Sequence, residues 1–221
     1  SDAIDLAWKV QAMLEGWGGN KLLGSYFSER HPVGVRNTAE AADCFDRLNS
    51  VMKYGDELDE EGSKGRAFRE KLGVELKEQE KLISSSGTLL GYRYGDSPIV
   101  IPDGTEEPVD DPRTYISVAR PGHRAPHIWL EEGVSLLDKL GPGFNLLIFG
   151  DLETSMEPTR EAAKNLGLPL DIIQINDPNA IKLYENKFVI IRPDLMVAWR
   201  SNSFPETPTE IFDILRGGKI V

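Results

Sequence analysis

The stretch FNLLIFG, residues 144–150, decides how the second half of the chain is interpreted. From Leu146 to Phe149 its side chains are all apolar, without the alternation of a strand that faces water on one side. An unbroken apolar run of this kind is typical of a strand that is covered on both faces of a sheet. We therefore predict a central, fully buried strand here.

The segments around this strand alternate between helix and strand patterns. A short helix is predicted before it at residues 134–140, and a longer one, EPTREAAKNLG, after it at 157–167. The remaining predicted elements are a strand, a short helix, a hairpin turning at Pro193-Asp194 and a closing helix, at residues 168–175, 178–185, 188–200 and 208–218. This order predicts an α/β fold, a thioredoxin-like α/β sandwich. Further short strands are predicted at residues 88–94, 98–102, 114–119 and 127–130.

The first half of the chain has helical patterns instead. The opening helix ends in glycines and carries an apolar stripe at helical spacing, which consists of Leu6, Val10, Met13, Leu14 and Trp17. A second helix at residues 20–30 is predicted to break at His31. Pro32 then occupies the first turn of a third helix that runs to residue 54. A fourth helix is predicted at residues 66–83.

These patterns divide the chain into three parts. Residues 1–86 form a helical segment, and residues 87–112 contain connecting strands and an acidic, proline-containing linker. Residues 113–221 form the thioredoxin-like domain.

Composition and charge exclude several classes of partner. The 221 residues include 25 basic and 36 acidic side chains, which gives a net charge of −11. That charge argues against nucleic acid or an anionic membrane, because both are bound through clustered lysines and arginines. No apolar run approaches the roughly 20 residues that cross a bilayer. The single cysteine, Cys44, rules out an internal disulfide, and we expect a soluble protein of the reducing cytoplasm.

The residues that thioredoxin chemistry requires are missing. A redox centre would follow the central strand, where the sequence reads GDLETSMEP at residues 150–158 and contains no cysteine. Cys44 lies in the helical half, and we interpret it as a small buried hydrophobic residue rather than a reactive thiol. We therefore predict a redox-inactive, CxxC-free domain.

Metal-binding and catalytic motifs are also missing. His123 and His127 are close in sequence, but a metal site needs three or four convergent ligands, and Pro126 disfavours a helix that would align the two rings. We interpret them as structural loop residues. No phosphate-cradling glycine motif follows a predicted strand. We predict no catalytic residue and no metal ligand in this chain.

Several stretches, taken in order, carry a resemblance to a known family. LLGSYFSERHPVGVRNT contains the family's Tyr-x-x-Glu-Arg-x-Pro-Val signature, which here consists of Tyr26, Glu29, Arg30, Pro32 and Val33. The opening SDAIDLAWKVQAMLEGWGG resembles the helix after the family's flavin-contacting segment, and GYRYGDSPIV resembles the strand that leads out of its FAD domain. ARPGHRAPHIWL, SLLDKLGPGFNLLIFG and IIRPDLMVAWRS resemble its terminal domain, although Leu195 stands where many relatives have a turn glycine. The chain thus resembles the C-terminal portion of the FAD-dependent aromatic hydroxylases, the group A flavoprotein monooxygenases of the phenol and polyketide hydroxylase type.

The resemblance implies a division of labour. In that family the dinucleotide-binding motifs and most of the substrate pocket precede the part that this chain resembles, so we expect the chain to be the helical tail of an FAD-binding domain plus a thioredoxin-like domain. The complete enzyme would use FAD and NAD(P)H to insert an oxygen atom from O₂ into a phenolic or other aromatic ring. The chain alone is expected to bind neither cofactor and to be inactive.

The resemblance also suggests roles for individual residues. Ser1 and Asp2 head a helix whose N-terminus would point towards the flavin, and we predict them as cofactor-binding residues, with simple N-capping as the alternative. Glu29 and Arg30 resemble a structural ion pair or a lock at a helix junction. Three residues where the terminal domain begins are interpreted as fold and interface residues, namely Arg120, Arg124 and His127.

Two classes of function compete. The chain is part of an enzyme, partnered by an N-terminal FAD- and substrate-binding half and a small aromatic substrate, or it is a free-standing, redox-inactive thioredoxin-like binding or dimerisation module. Relatives with this terminal domain are often dimers, so a homodimer is also compatible with the resemblance. Exposure of Leu6, Val10 and Trp8 would favour a covering partner, and their burial would favour a self-sufficient module.

Overall fold

The structure is a computed structural model that describes residues 2–51, 55–78, 84–152, 155–205 and 207–218. The helices within these residues are α1 (Asp2–Leu14), α2 (Leu22–Val51), α3 (Gly62–Glu78), α4 (Ser86–Leu90), α5 (Glu157–Asn165), α6 (Pro178–Tyr184) and α7 (Pro208–Leu215). The strands are β1 (Trp129–Glu131), β2 (Val134–Ser135), β3 (Phe144–Phe149), β4 (Leu170–Ile175), β5 (Phe188–Ile191) and β6 (Val197–Ser201). Two 3₁₀ turns lie at Asp56–Leu58 and Leu136–Lys139.

A four-stranded sheet with the order β4-β3-β5-β6 organises the second half of the chain. β3 pairs parallel with β4 and antiparallel with β5, and β5 pairs antiparallel with β6. In this register Leu146 of β3 lies between Ile172 of β4 and Ile190 of β5. β1 and β2 form a separate antiparallel pair. The predicted thioredoxin-like α/β sandwich is confirmed.

Both faces of the sheet are covered, which explains the apolar run in β3. Phe144, Leu146 and Ile148 belong to a core that includes residues of α1, α5 and α7. Leu147 and Phe149 belong to a second core that includes residues of α6. All five side chains are buried. Because side chains alternate across a strand, a strand that is covered on both sides needs apolar residues at successive positions.

Helix α1 buries the face that carries Trp8 and leaves most of its apolar stripe exposed. Trp8 is buried, and its ring lies edge-on to that of Phe144, with the centroids 5.9 Å apart. Trp17, which follows the helix, is buried and stacks on Trp8. The other residues of the predicted stripe are exposed, namely Leu6, Val10, Met13 and Leu14. The sequence left their burial open, because helical periodicity identifies an apolar face without identifying the surface that covers it.

Helix α2 continues through Pro32, so the predicted break at His31 was wrong. An interior proline removes one backbone hydrogen bond and disfavours a helix by about 3 kcal/mol. Glu29 and Arg30, in the turn before Pro32, are buried in ion pairs. Contacts of this kind stabilise the helix against the unfavourable residue, because most helical stability in proteins comes from tertiary packing.

The strands predicted between residues 88 and 119 do not form, although the structure describes every residue of this range. Residues 86–90 form helix α4, and the backbone that follows makes single hydrogen bonds rather than a ladder. The N–H of Tyr94 donates to the carbonyl of Gly122, and the N–H of Ile101 donates to Ala198 at the edge of β6. Short apolar runs bounded by glycine and proline therefore correspond here to backbone that is not paired in a sheet.

The later elements agree with the sequence more closely. The hairpin turns at the predicted Pro193-Asp194, and Leu195 adopts the left-handed conformation with φ of 66°. The strand predicted at 127–130 forms as β1, which begins two residues later, at Trp129, and ends one residue later, at Glu131. Helix α3 begins at Gly62, four residues before the predicted start, and residues 79–83 lie outside the described residues.

The chain forms two compact units. The first contains residues 1–32, 93–108 and 117–221, and the second contains residues 33–92 and 109–116. The division at residues 86 and 112 stays a prediction. No described helix combines the length and the apolar character needed to cross a membrane.

Candidate functional site

The first turn of α1 is the place at which the sequence predicted a cofactor contact. Ser1 lies outside the described residues. The carboxylate of Asp2 accepts a hydrogen bond of 2.7 Å from Nε of Arg30, and this bond lowers the pKa of Asp2. Arg30 also donates to the hydroxyl of Tyr94, at 3.0 Å. Arg30 therefore pairs with Asp2 rather than with Glu29, and the alternative, a lock at a helix junction, stays a prediction.

Glu29 lies one residue before Arg30 and points into a buried group of charges. Its carboxylate accepts hydrogen bonds from Nζ of Lys9 at 2.5 Å and from Nη1 and Nη2 of Arg192 at 2.6 and 2.9 Å. It also accepts one from the hydroxyl of Ser97. Every one of these side chains is buried. A glutamate that looked like part of a sequence signature is thus a link between helix α2 and the β5–β6 turn.

Arg192 is the centre of this group. Its guanidinium makes two bonds to Asp194, at 3.0 and 2.6 Å, and one of 3.1 Å to Asp5. It also lies over the rings of Trp8 and Tyr94, 5.3 and 5.2 Å from their centroids. Lys9 completes the group with a bond of 2.9 Å to Asp5. We call Asp5, Lys9, Glu29, Arg192 and Asp194 the buried charge cluster.

The buried charge cluster has three carboxyl groups and two cations. Burial alone would raise the pKa of Glu29, but Arg192 and Lys9 outweigh it and lower this pKa to about 2. Burial and then the neighbouring Glu29 raise the pKa of Asp5 to about 7, against the opposing effect of Lys9 and Arg192. Glu29 is therefore ionised at neutral pH, and Asp5 is the carboxyl that holds a proton most readily.

A metal ion is not needed to explain the three carboxylates. Oxygens of Asp5, Glu29 and Asp194 lie within 4.8 Å of one another, which is a spacing that a cation could bridge. Lys9 and Arg192 already donate to these oxygens. The protein's own cations thus supply the positive charge at this position.

The position of a thioredoxin redox centre, between β3 and α5, carries no cysteine at residues 150–158. Cys44 lies on α2, in the other compact unit. It is half-buried rather than buried as predicted, and it lines a cavity of about 440 Å³ together with Arg47 and Asp111.

The two histidines near residue 125 have different environments. Nδ1 of His127 lies 2.8 Å from the hydroxyl of Ser135. His123 is buried, and its Nε2 lies 3.7 Å from the carboxylate of Glu107. Burial, followed by the charges of Arg93 and Arg120, lowers the pKa of His123 to about 4. The imidazole of His123 is consequently neutral at physiological pH.

The arginines predicted beside these histidines have contacts within the same unit. Arg120 bonds the carbonyl of Thr105 and the carboxylate of Glu107. The backbone of Arg124 forms an isolated bridge with Met196. Their assignment as fold and interface residues stays a prediction.

The outer face of α1 is apolar and uncovered. Leu6 and Val10 are 40% and 39% exposed, and Leu14 is 83% exposed. Met13 completes this face, which we call the exposed apolar face, whereas Trp8 is only 6% exposed. The three residues chosen to distinguish a covering partner from a self-sufficient module thus give different answers. The exposure of Leu6 and Val10 favours a covering partner, whereas the burial of Trp8 favours a self-sufficient module.

Sequence reasoning missed most of the buried charge cluster. It singled out Glu29, but not Lys9, Arg192 or Asp194. One available signal is the spacing of Asp5 and Lys9, which places both charges on the helix face that also carries Trp8.

Comparisons with known proteins indicate which protein family this chain resembles. Residues 118–216 match the model of the family described as aromatic-ring hydroxylase, C-terminal, and residues 1–41 match an FAD binding domain. The chain thus corresponds to the C-terminal portion of the FAD-dependent aromatic hydroxylases, as its signature residues predicted.

Particular relatives agree with that class. The chain is 32% identical to tetracenomycin A2 monooxygenase-dioxygenase of Streptomyces glaucescens over 93% of its length, and 28% identical to phenol 2-monooxygenase of a Pseudomonas species over 98%. It covers 34% and 41% of those two proteins. The structure of RebC with bound 7-carboxy-K252c matches 99% of the chain with a TM-score of 0.88 and 33% identity, and the chain covers 41% of it. The chain therefore spans well under half the length of the proteins it matches.

Proposed function

We propose that the chain acts as the C-terminal part of a flavin-dependent monooxygenase that hydroxylates a phenolic or other aromatic substrate with NAD(P)H and O₂. An N-terminal portion would hold most of the FAD and the substrate. The exposed apolar face carries this proposal, because it lies within residues 1–41, the part similar to an FAD binding domain. A contiguous apolar face on a helix is typical of a surface that another polypeptide covers.

The first turn of α1 is the part of this chain that would meet the flavin. Bound FAD would supply the activation of O₂, which no side chain can perform. Ser1, Asp2 and the backbone N–H groups of the first turn would lie near its ring, where the positive end of the helix favours an electron-rich group. Arg30 supports this arrangement, because it neutralises the carboxylate of Asp2, which would otherwise repel a reduced flavin.

The other partners follow from the same assignment. A small aromatic compound would be the substrate, and a second copy of the enzyme would complete a homodimer. We place the protein in the cytoplasm. The net charge of −11 disfavours nucleic acid and anionic membranes as partners.

The test is a visible absorption spectrum of the natively purified protein, with a denaturing gel of the same sample. Flavin absorption together with a second polypeptide on the gel, or one longer than this chain, is the expected result. A colourless sample with a single band of this chain's size would overturn the proposal in favour of the free-standing thioredoxin-like module.

A pair of variants then tests the surface. Leu6→Asp combined with Val10→Asp should abolish association with the N-terminal portion and release flavin, because both side chains are exposed in the chain itself. Leu89→Asp, in the other compact unit, is the matched control, since Leu89 is also an exposed apolar residue. Equal flavin retention in both would contradict the assignment of the exposed apolar face.

A further inference from the structure

We propose that the buried charge cluster is a proton-linked clamp, in which Arg192 of the β5–β6 turn holds helix α1 in place and Asp5 carries the proton that sets how tightly it does so. Arg192 is thus a positioning residue that acts on the flavin side of the protein through α1. The consequence for the flavin rests on the proposed function, whereas the clamp itself is a property of this chain.

The geometry of the clamp joins three separate elements within one compact unit. Asp5 and Lys9 are one turn apart on α1, Glu29 lies on α2, and Arg192 and Asp194 flank the tip of the hairpin. Arg192 bonds Asp5 directly, across 187 positions of sequence, and Glu29 across 163. With its bonds to Asp194 included, the guanidinium uses all three of its nitrogens. The domain that lacks redox cysteines therefore contributes the residue that fixes α1.

The charges show where the proton belongs. With all groups ionised, the cluster would contain three negative and two positive charges in a buried site, which is unfavourable. One proton makes it neutral. Glu29 accepts four hydrogen bonds and Asp194 accepts two from Arg192, whereas Asp5 accepts one from Lys9 and the longest of the Arg192 bonds, at 3.1 Å. Asp5 is the carboxyl with the least support for its negative charge.

The groups around Asp5 are consistent with a proton on its carboxyl group. Lys9 faces it from its own helix, Glu29 from α2, and Arg192 with Asp194 from the hairpin. Ser97 and Tyr94 reach the cluster from the segment after residue 93, and each contacts Glu29 or Arg192. One turn away, Asp2 is paired with Arg30.

The direction of the pH dependence follows from these groups. The pKa of Asp5 in the folded chain, about 7, lies above its ordinary value of 3.8. The folded state therefore binds more protons than the unfolded state between these values, and stability is lost as the pH rises through this window. Above pH 7 the loss is complete. We expect α1 to be held most tightly near pH 4 and to loosen as the pH rises towards 7, because opening of the helix releases the proton of Asp5 in this range.

Hydrogen exchange of the full chain, followed by mass spectrometry at pH 5–8 and corrected for the intrinsic exchange rate, tests the proton. The opening equilibrium constant of α1 should rise by up to about tenfold per pH unit between pH 5 and 7 in the wild type. Asp5→Asn cannot titrate, so its α1 peptides should lose this slope. Asp103→Asn is the matched control, because Asp103 is paired with Arg200 and has a lowered pKa. Equal slopes in wild type and Asp5→Asn would overturn the proposal.

A second pair of variants tests Arg192 itself. Arg192→Lys should increase the opening constant of α1 by more than tenfold, because an ammonium group with three N–H donors cannot replace the five hydrogen bonds that the guanidinium makes. Arg200→Lys, at another buried arginine in the same unit, should leave α1 within twofold of the wild type. Equal α1 protection in the two variants would overturn the clamp. If Arg192→Lys does not fold, the Asp5→Asn comparison decides the question.

These outcomes are separate from those of the proposed function. The exchange measurement uses the chain without flavin, so an opening constant that does not change with pH would refute the clamp without affecting the monooxygenase proposal. A colourless native protein would refute the monooxygenase proposal without affecting the clamp.

Discussion

Glu29→Gln is the substitution for which the structure gives the most definite expectation. The amide has nearly the shape of the carboxylate, so packing is kept and only the charge is lost. In the wild type this carboxylate accepts hydrogen bonds from Lys9, Ser97 and, twice, from Arg192. The amide oxygen cannot replace them all, and the amide nitrogen would face the guanidinium.

Two routes give the magnitude. Removing one partner from a buried ion pair typically costs about 3–5 kcal/mol, because the other charge is left uncompensated. Independently, the fall in the pKa of Glu29 from 4.5 to about 2 corresponds to roughly 3 kcal/mol at neutral pH. Asp5 can ionise when Glu29 is gone, which places the expected loss near the lower end, at about 3 kcal/mol.

Urea unfolding followed by tryptophan fluorescence is the assay, because Trp8, Trp17, Trp129 and Trp199 all lie in the compact unit that holds Glu29. At pH 7 the midpoint should fall by roughly 1–2 M. The stability that Glu29 contributes is present above pH 4.5 and is lost as the pH falls towards 2, so the difference between variant and wild type should shrink at pH 3.

A surface ion pair provides the control. Asp110 bonds Arg36 at 2.7 Å through both oxygens, but it is partly exposed, so Asp110→Asn should cost no more than about 1 kcal/mol. If Glu29→Gln costs as little as Asp110→Asn, or if its cost does not depend on pH, the buried charge cluster does not stabilise the fold as argued.

Three further predictions concern other parts of the chain. Phe144→Ala should cost about 3–5 kcal/mol in urea unfolding because its ring is fully buried, whereas Phe45→Ala at an exposed position should stay within about 0.5 kcal/mol; similar costs would contradict the assigned core. Pro32→Ala should stabilise the chain by up to about 3 kcal/mol, because α2 runs through this residue, and a lowered melting temperature would instead favour a helix start there. The imidazole of His123 should titrate near pH 4 in NMR spectra, because it is buried beside two arginines, and a midpoint near 6.5 would refute this.

Where sequence prediction succeeded, one local pattern had one physical meaning. The apolar run in β3 predicted burial on both faces, and Pro193-Asp194 predicted the hairpin turn. Both features depend on residues within a few positions of each other. The lack of cysteine at residues 150–158 is likewise a local observation, because thiol chemistry requires a cysteine sulfur whatever the fold.

Where the sequence left a question open, distant residues decided between local alternatives. Helix α1 has an apolar face and a face with Asp5, Trp8 and Lys9, and periodicity does not say which of the two is buried within this chain. The charged face is buried because the sheet presents Phe144 to Trp8, and the hairpin presents Arg192 to Asp5.

The sequence by itself therefore determined the class of fold, the lack of a cysteine at residues 150–158 and the resemblance to the aromatic hydroxylases. These depend on periodicity, residue identity and short motifs, all of which are local. Only the tertiary structure decided which face of α1 is buried, and that Glu29 of the signature pairs with Arg192. The reason is physical: burying a charge is favourable only when its counter-charges are in place, and here the central one, Arg192, comes from the other end of the chain.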